Sequence, residues 1–318
     1  MQPNSAYFFA ARACAVACLA MALSASRLEA VPIESFHIYA ENNVMIGVGT
    51  IVGTPGNNSL VGAGTMVVGV GDASLNGTAG IYGSLRAGDD VSMGNNTFIT
   101  GSITNPGSFT TGSGVVYGSH VVAMPDLPTL PAATVFADGL TDVSVGNGGV
   151  MNLAPGSWND ITLGGAATLN LSAGDYYLKS LMAGNGLTIN VDLNGGNLRL
   201  FITEDFNAGG VSAMNFTSGG DHRNVSAETH AAGLNAFRIG GGNGTQWFGS
   251  IFTPNGDIHL GSGSSGTGVV AGYLWAGGNV DLEHGLDVLA PEPSSVIMLA
   301  CGLAGLFARR WRRRKSVR

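Results

Sequence analysis

Tyr82-Gly83-Ser84-Leu85, Thr100-Gly101-Ser102-Ile103 and Tyr117-Gly118-Ser119-His120 are three imperfect copies of one unit, x-Gly-Ser-x, set 18 and 17 residues apart. Between Phe36 and Val122 they punctuate short β-branched runs such as Val44-Met45-Ile46-Gly47-Val48 and Gly64-Thr65-Met66-Val67-Val68. Apolar residues alternating with small ones predict strands with one face buried. An interval of 17 or 18 residues suits one coil of a parallel β-helix, with Gly or Asn at the bends. A sandwich of evenly spaced hairpins gives a similar pattern. The expected fold is all-β, a right-handed parallel β-helix (solenoid) flanked by an N-terminal signal peptide and a C-terminal apolar helix.

Working outward, Met124 to Thr134 (MPDLPTLPAAT) breaks the pattern, because Pro125, Pro128 and Pro131 cannot donate to a sheet ladder. Residues 124–134 read as a strap over the outside of one solenoid or as a linker between two parts, 31–123 and 135–290. Alternation resumes after Val143, for example in Leu187-Thr188-Ile189-Asn190-Val191. Gly219 to Asn235 is the most polar stretch, with modest helix potential, and reads as a surface excursion.

Composition narrows the function. The three cysteines, Cys14, Cys18 and Cys301, lie near the chain ends, so residues 31–290 can form no disulfide and hold no cysteine nucleophile. That body carries five basic side chains against 19 acidic ones, a net charge near −14. Such a surface repels nucleic acid. Only 11% of the chain is charged and mean hydropathy is +0.25, which points to a folded chain rather than a disordered one.

Few residues look like chemistry. Gly261-Ser262-Gly263-Ser264-Ser265-Gly266 matches a dinucleotide fingerprint, but strands flank it where a helix would have to follow. His222 and His230 lie near Asp221 and Glu228 without a recognised metal-ligand spacing. No G-x-S-x-G elbow occurs. Candidate carboxylate pairs are Asp89-Asp90, Glu204-Asp205 and Asp281-x-Glu283. Only the last shares a strand face, and a solvated edge explains it equally. Calcium on turn aspartates such as Asp72, Asp89 or Asp257 stays open. The reading is of no enzyme, no cofactor and no metal. The alternative is a carbohydrate-binding or carbohydrate-cleaving module acting on exopolysaccharide.

The ends carry an address. Tyr7 to Ala25 is apolar with one Arg12, and small residues follow, so residues 1–30 read as a secretory signal peptide, expected to engage the Sec translocon. At the other end Pro291-Glu292-Pro293 precedes an apolar run at 294–308 and then Arg309, Arg310, Arg312, Arg313, Arg314, Lys315 and Arg318. The run is shorter than the ~20 residues of a comfortable spanning helix, and the positive tail resists translocation. Residues 291–318 resemble the PEP-CTERM sorting signal of bacterial exported proteins. That resemblance implies recognition by an exosortase-type membrane enzyme, transient anchoring in the inner membrane, then the cell surface or matrix, with a structural or adhesive role often linked to exopolysaccharide and biofilm.

A second resemblance covers about 141–288. Gly249-Ser250-Ile251-Phe252-Thr253-Pro254-Asn255-Gly256-Asp257-Ile258 followed by Gly272-Tyr273-Leu274-Trp275-Ala276-Gly277-Gly278-Asn279-Val280 looks like the end of uncharacterised β-helical domains on adhesin-like and pilus-associated proteins. It implies consecutive coils with a corner at Pro254-Asn255-Gly256, and it brings no catalytic residues.

Overall fold

The structure is a computed structural model that describes residues 32–289, apart from 57, 70–77, 242–244, 263–267 and 284. The signal peptide, the Pro-Glu-Pro motif, the 294–308 run and the arginine cluster lie outside the described residues. Among those described there is no α-helix, and no helix is long and apolar enough to cross a membrane. The chain is nearly all β, and every strand pairing is parallel where its register is known.

Alternation sets the strand faces. In Gly83–Ala87 and Leu187–Asp192 every second residue is buried, so Leu85, Leu187, Ile189 and Val191 point inward. Three short strands make a coil, and each coil lies in register over the next. Ile38–Ala40 pairs with Ser59–Ala63, which pairs with Gly83–Ala87, which pairs with Phe98–Asn105. The x-Gly-Ser-x units fall one above another: Ser102 is opposite Ser119, and a Cβ on Gly118 would sit 2.6 Å from the carbonyl oxygen of Gly101. Only glycine permits that approach.

The coils do not stack in chain order. Leu274–Ala276, from the last coil, pairs with Ile38–Ala40 of the first, Val280–Leu282 with Val44–Ile46, and Leu286–Leu289 with Ile51–Val52. One buried apolar cluster runs through this seam, from Val61 and Ile38 to Leu274 and Ile251. The stack therefore has Val116–Val122 at one extremity and Val143–Val145 at the other, with the first and last coils adjacent inside it.

Residues 123–142 run between those extremities along the outside. Arg86 Nη1 donates to the carbonyl of Asp126 at 2.8 Å. Leu127 and Leu130, with Trp275, pack against Phe36 and Tyr39 at the seam. Thr134 donates from its backbone N–H and its hydroxyl to Glu228, and Phe136 packs against Tyr177, Phe201 and His230. Gly139 then donates to the carbonyl of Trp158. The lengths agree. Between the strand of Arg86 and the strand of Trp158 lie eight inter-strand steps. At ~4.8 Å each they make about 38 Å. Thirteen residues at the ~3.1 Å rise of a polyproline II chain make about 40 Å. Three prolines, which hold the chain extended and need no partner for an N–H, suit this path.

The 219–235 stretch differs from its sequence reading. Apart from one 3-10 turn, His222–Asn224, it forms the core strand Val225–Thr229 and opens the strand Gly233–Gly240. Val225, Ala227 and Thr229 are buried, so the period-two pattern of V-S-A-E-T prevails over its polar composition.

Outward polar side chains bond from coil to coil. Asn215, Asn190 and Asn170 each donate from Nδ2 to the next Oδ1, ending at Asn152, over 2.7–3.0 Å. Asp160 accepts from Ser180 and Asp90 from Ser108, and these hydroxyls are the first cause holding both carboxyls below the usual aspartate range. Asn170→Ala removes two side-chain amide hydrogen bonds at a half-buried position. It is expected to cost about 1 kcal/mol, measured by urea unfolding.

Candidate functional site

The strand Gly256–Ser262 buries Ile258 and Leu260, which turns Asp257 and His259 outward. On the following coil Val280–Leu282 buries Val280 and Leu282 and turns Asp281 out, directly opposite His259 in register. Glu283, two residues beyond Asp281, returns to the same side. His259 Nδ1 lies 3.2 Å from Asp281 Oδ2, and its Nε2 lies 3.2 Å from Glu283 Oε1. All three are about one-fifth to one-quarter exposed. Asp281's hydrogen bond raises the His259 pKa, burial opposes it, and the two carboxylate charges add to the rise against Arg238. The other oxygen of Asp281, Oδ1, is buried with no hydrogen-bond partner.

These groups wall an open pocket of about 680 Å³ at the seam, with Asn43, Met45, Leu234, Asn235 and Arg238. Its floor is rigid. Asp257 accepts from the backbone N–H and the Nδ2 of Asn279, whose Oδ1 accepts from the backbone N–H and the Nδ2 of Asn43. This corner ladder ties the last two coils to the first. Gly47 makes a close approach beside it: a Cβ there would lie 2.3 Å from the carbonyl oxygen of Glu283. Thr50 Oγ1 donates to that same carbonyl.

The other sequence candidates are dispersed. Asp89 sits in a bend and Asp90, just after it, is bound to Ser108, while Glu204 approaches Lys179 at 3.9 Å. Asp221 caps the 3-10 turn and holds Arg223, while His230 pairs with Glu228 at 2.7 Å on a different strand end. The Gly261–Gly266 motif lies mostly outside the described residues. His259 was not linked to Asp281 and Glu283 by the sequence reading. The signal was present, because His259 and Asp281 stand 22 residues apart, one coil of the two consecutive coils read at Gly249–Ile258 and Gly272–Val280.

Fold and site together define a parallel, coil-stacked β protein with a histidine–carboxylate pocket at an internal seam. No protein-family model matches the chain, and no curated protein matches it. A solved structure described as an ice binding protein from an Antarctic bacterium, Flavobacteriaceae, aligns over 81% of this chain and 97% of its own, at 11% identity and a TM-score of 0.24. A likeness at that score carries no argument about function.

Proposed function

We propose that the chain is an exported cell-surface or extracellular-matrix protein with a structural or adhesive role and no catalytic one. Its body is a right-handed parallel β-helix, sorted through the PEP-CTERM-like end by an exosortase-type enzyme after Sec export and transient anchoring in the inner membrane. The observation that carries this reading is the use made of outward polar groups. Amides, hydroxyls and carboxylates along the coils are bonded to the next coil, as in the Asn152–Asn215 ladder, which suits a stiff scaffold that needs no disulfide. The pocket shared by Asp281 and Glu283 favours a second reading, a module that binds or cleaves exopolysaccharide.

The sorting reading has a direct test. Replacing Pro291, Glu292 and Pro293 with alanine should leave export intact and block release, so the full-length form accumulates in the inner membrane. Intact-mass measurement of the wild-type surface form should show the arginine-rich end missing. A surface form that keeps Arg309 to Arg318 would make the segment a plain anchor. Release of reducing or unsaturated sugar ends from the host polysaccharide, lost on changing Asp281 and Glu283 to amides, would favour the second reading.

A further inference from the structure

We propose that His259, Asp281 and Glu283 form a binding site for one divalent transition-metal ion of the zinc class. The donor set is one imidazole and two carboxylates, each offering a ligand atom within 4.8 Å of the others. An imidazole and a carboxylate on the ion, a second carboxylate behind the imidazole and an open pocket that supplies solvent suit a zinc-class site. The imidazole argues against calcium, which takes six to eight oxygen ligands.

The present contacts need little change to receive the ion. Asp281 Oδ2 already stands at Nδ1, the place of a carboxylate that orients a metal-ligating histidine from behind. That leaves Nε2 and Glu283 Oε1, 3.2 Å apart, to converge on the cation. A pair of ligand atoms about 2.1 Å from one metal is separated by roughly this distance. The scaffold is fixed by coil register and by the Asp257–Asn279–Asn43 ladder, so the ligands are held before binding. Arg238, opposite His259 on the preceding coil, lines the same pocket and tempers its negative charge. Binding displaces a proton from His259, so affinity should rise with pH.

The test uses the full chain without a histidine tag, stripped with chelator and titrated with zinc chloride by calorimetry, with cobalt(II) as a visible-absorption probe. The expected result is one zinc per chain, a cobalt band of a nitrogen–oxygen site, and affinity weakened on the order of 10–100-fold by Asp281→Asn. His259→Ala should abolish that site, with far-UV circular dichroism confirming the fold. Should His259→Ala fail to fold, Glu283→Gln, at a more exposed position, takes its place. Absence of zinc binding by the wild-type chain overturns the proposal. So does binding that survives unchanged in either folded variant, or displacement of zinc by an equal concentration of calcium.

Discussion

Trp247→Ala is expected to destabilise the protein by about 3–5 kcal/mol, the range for emptying a buried indole site. Trp247 is fully buried on the strand Thr245–Phe248. It meets Phe206 and Phe237 edge to face at 5.5 and 5.0 Å, and those two rings stack on each other at 4.4 Å. Its indole N–H donates to the carbonyl of Gly249 at 2.9 Å, next to a corner where φ is +158°. Truncation opens a cavity between rigid rings and strips that carbonyl of its donor at once. Neighbouring coils are pinned by register and cannot collapse into the space. Trp247→Phe should keep part of the packing and lose the hydrogen bond, so it should fall between wild type and alanine in urea unfolding. A loss below about 1 kcal/mol for the alanine variant would mean that the cluster is not a packed unit.

Acidification from pH 7 to pH 4 is expected to remove about 3 kcal/mol through His37 alone. His37 is buried at the seam. Its Nε2–H donates to the carbonyl of Leu289 at 3.0 Å, and its Nδ1 faces Ser59 Oγ at 3.4 Å. Burial pushes its pKa down to about 4, against the smaller opposing pull of the Leu289 and Gly272 backbone bonds. An unfolded histidine takes up its proton near 6.5, and the folded one only near 4. Between those values the unfolded state binds the extra proton, so stability is full above about pH 7 and falls as the pH drops towards 4. The His37→Gln variant should have a shallower stability curve over that window, read by chemical unfolding at several pH values. Equal slopes for variant and wild type would show that His37 is not held neutral. His259 has the opposite sign: its raised pKa favours the folded state in acid, and that contribution fades as the pH rises.

Much of the strand content was legible because it is local. Period-two alternation and the Gly-Ser units marked where strands and corners fall, and the prolines at 125, 128 and 131 marked a segment outside any ladder. The seam was not legible. His37 and Leu289 are 252 residues apart, and nothing in the sequence near Ile38 names Leu274 as its partner. Coil length also varies, from 17 residues between Ser102 and Ser119 to 31 between Phe206 and Phe237, so no fixed period carries a register along the chain. The site was half legible for the same reason. Asp281 and Glu283 share a face by strand geometry alone, whereas His259 joins them only once the register of the next coil is known. The polar stretch at 219–235 misled because composition was weighed above alternation, and Val225, Ala227 and Thr229 were already spaced for a strand.

The adjacency of the first and last coils bears on how the protein is made. Synthesis runs from the N-terminus, so residues 38–122 appear first and can stack on one another in sequence. The strands Ile38–Ala40, Val44–Ile46 and Ile51–Val52 then present a row of unpaired backbone groups, an open template for any other chain. Their partners, Leu274–Ala276, Val280–Leu282 and Leu286–Leu289, are the last strands of the body to leave the ribosome. A nascent chain halted before Leu274 keeps that whole edge open. Completion of the fold thus waits for residues 274–289, and these directly precede Pro291-Glu292-Pro293.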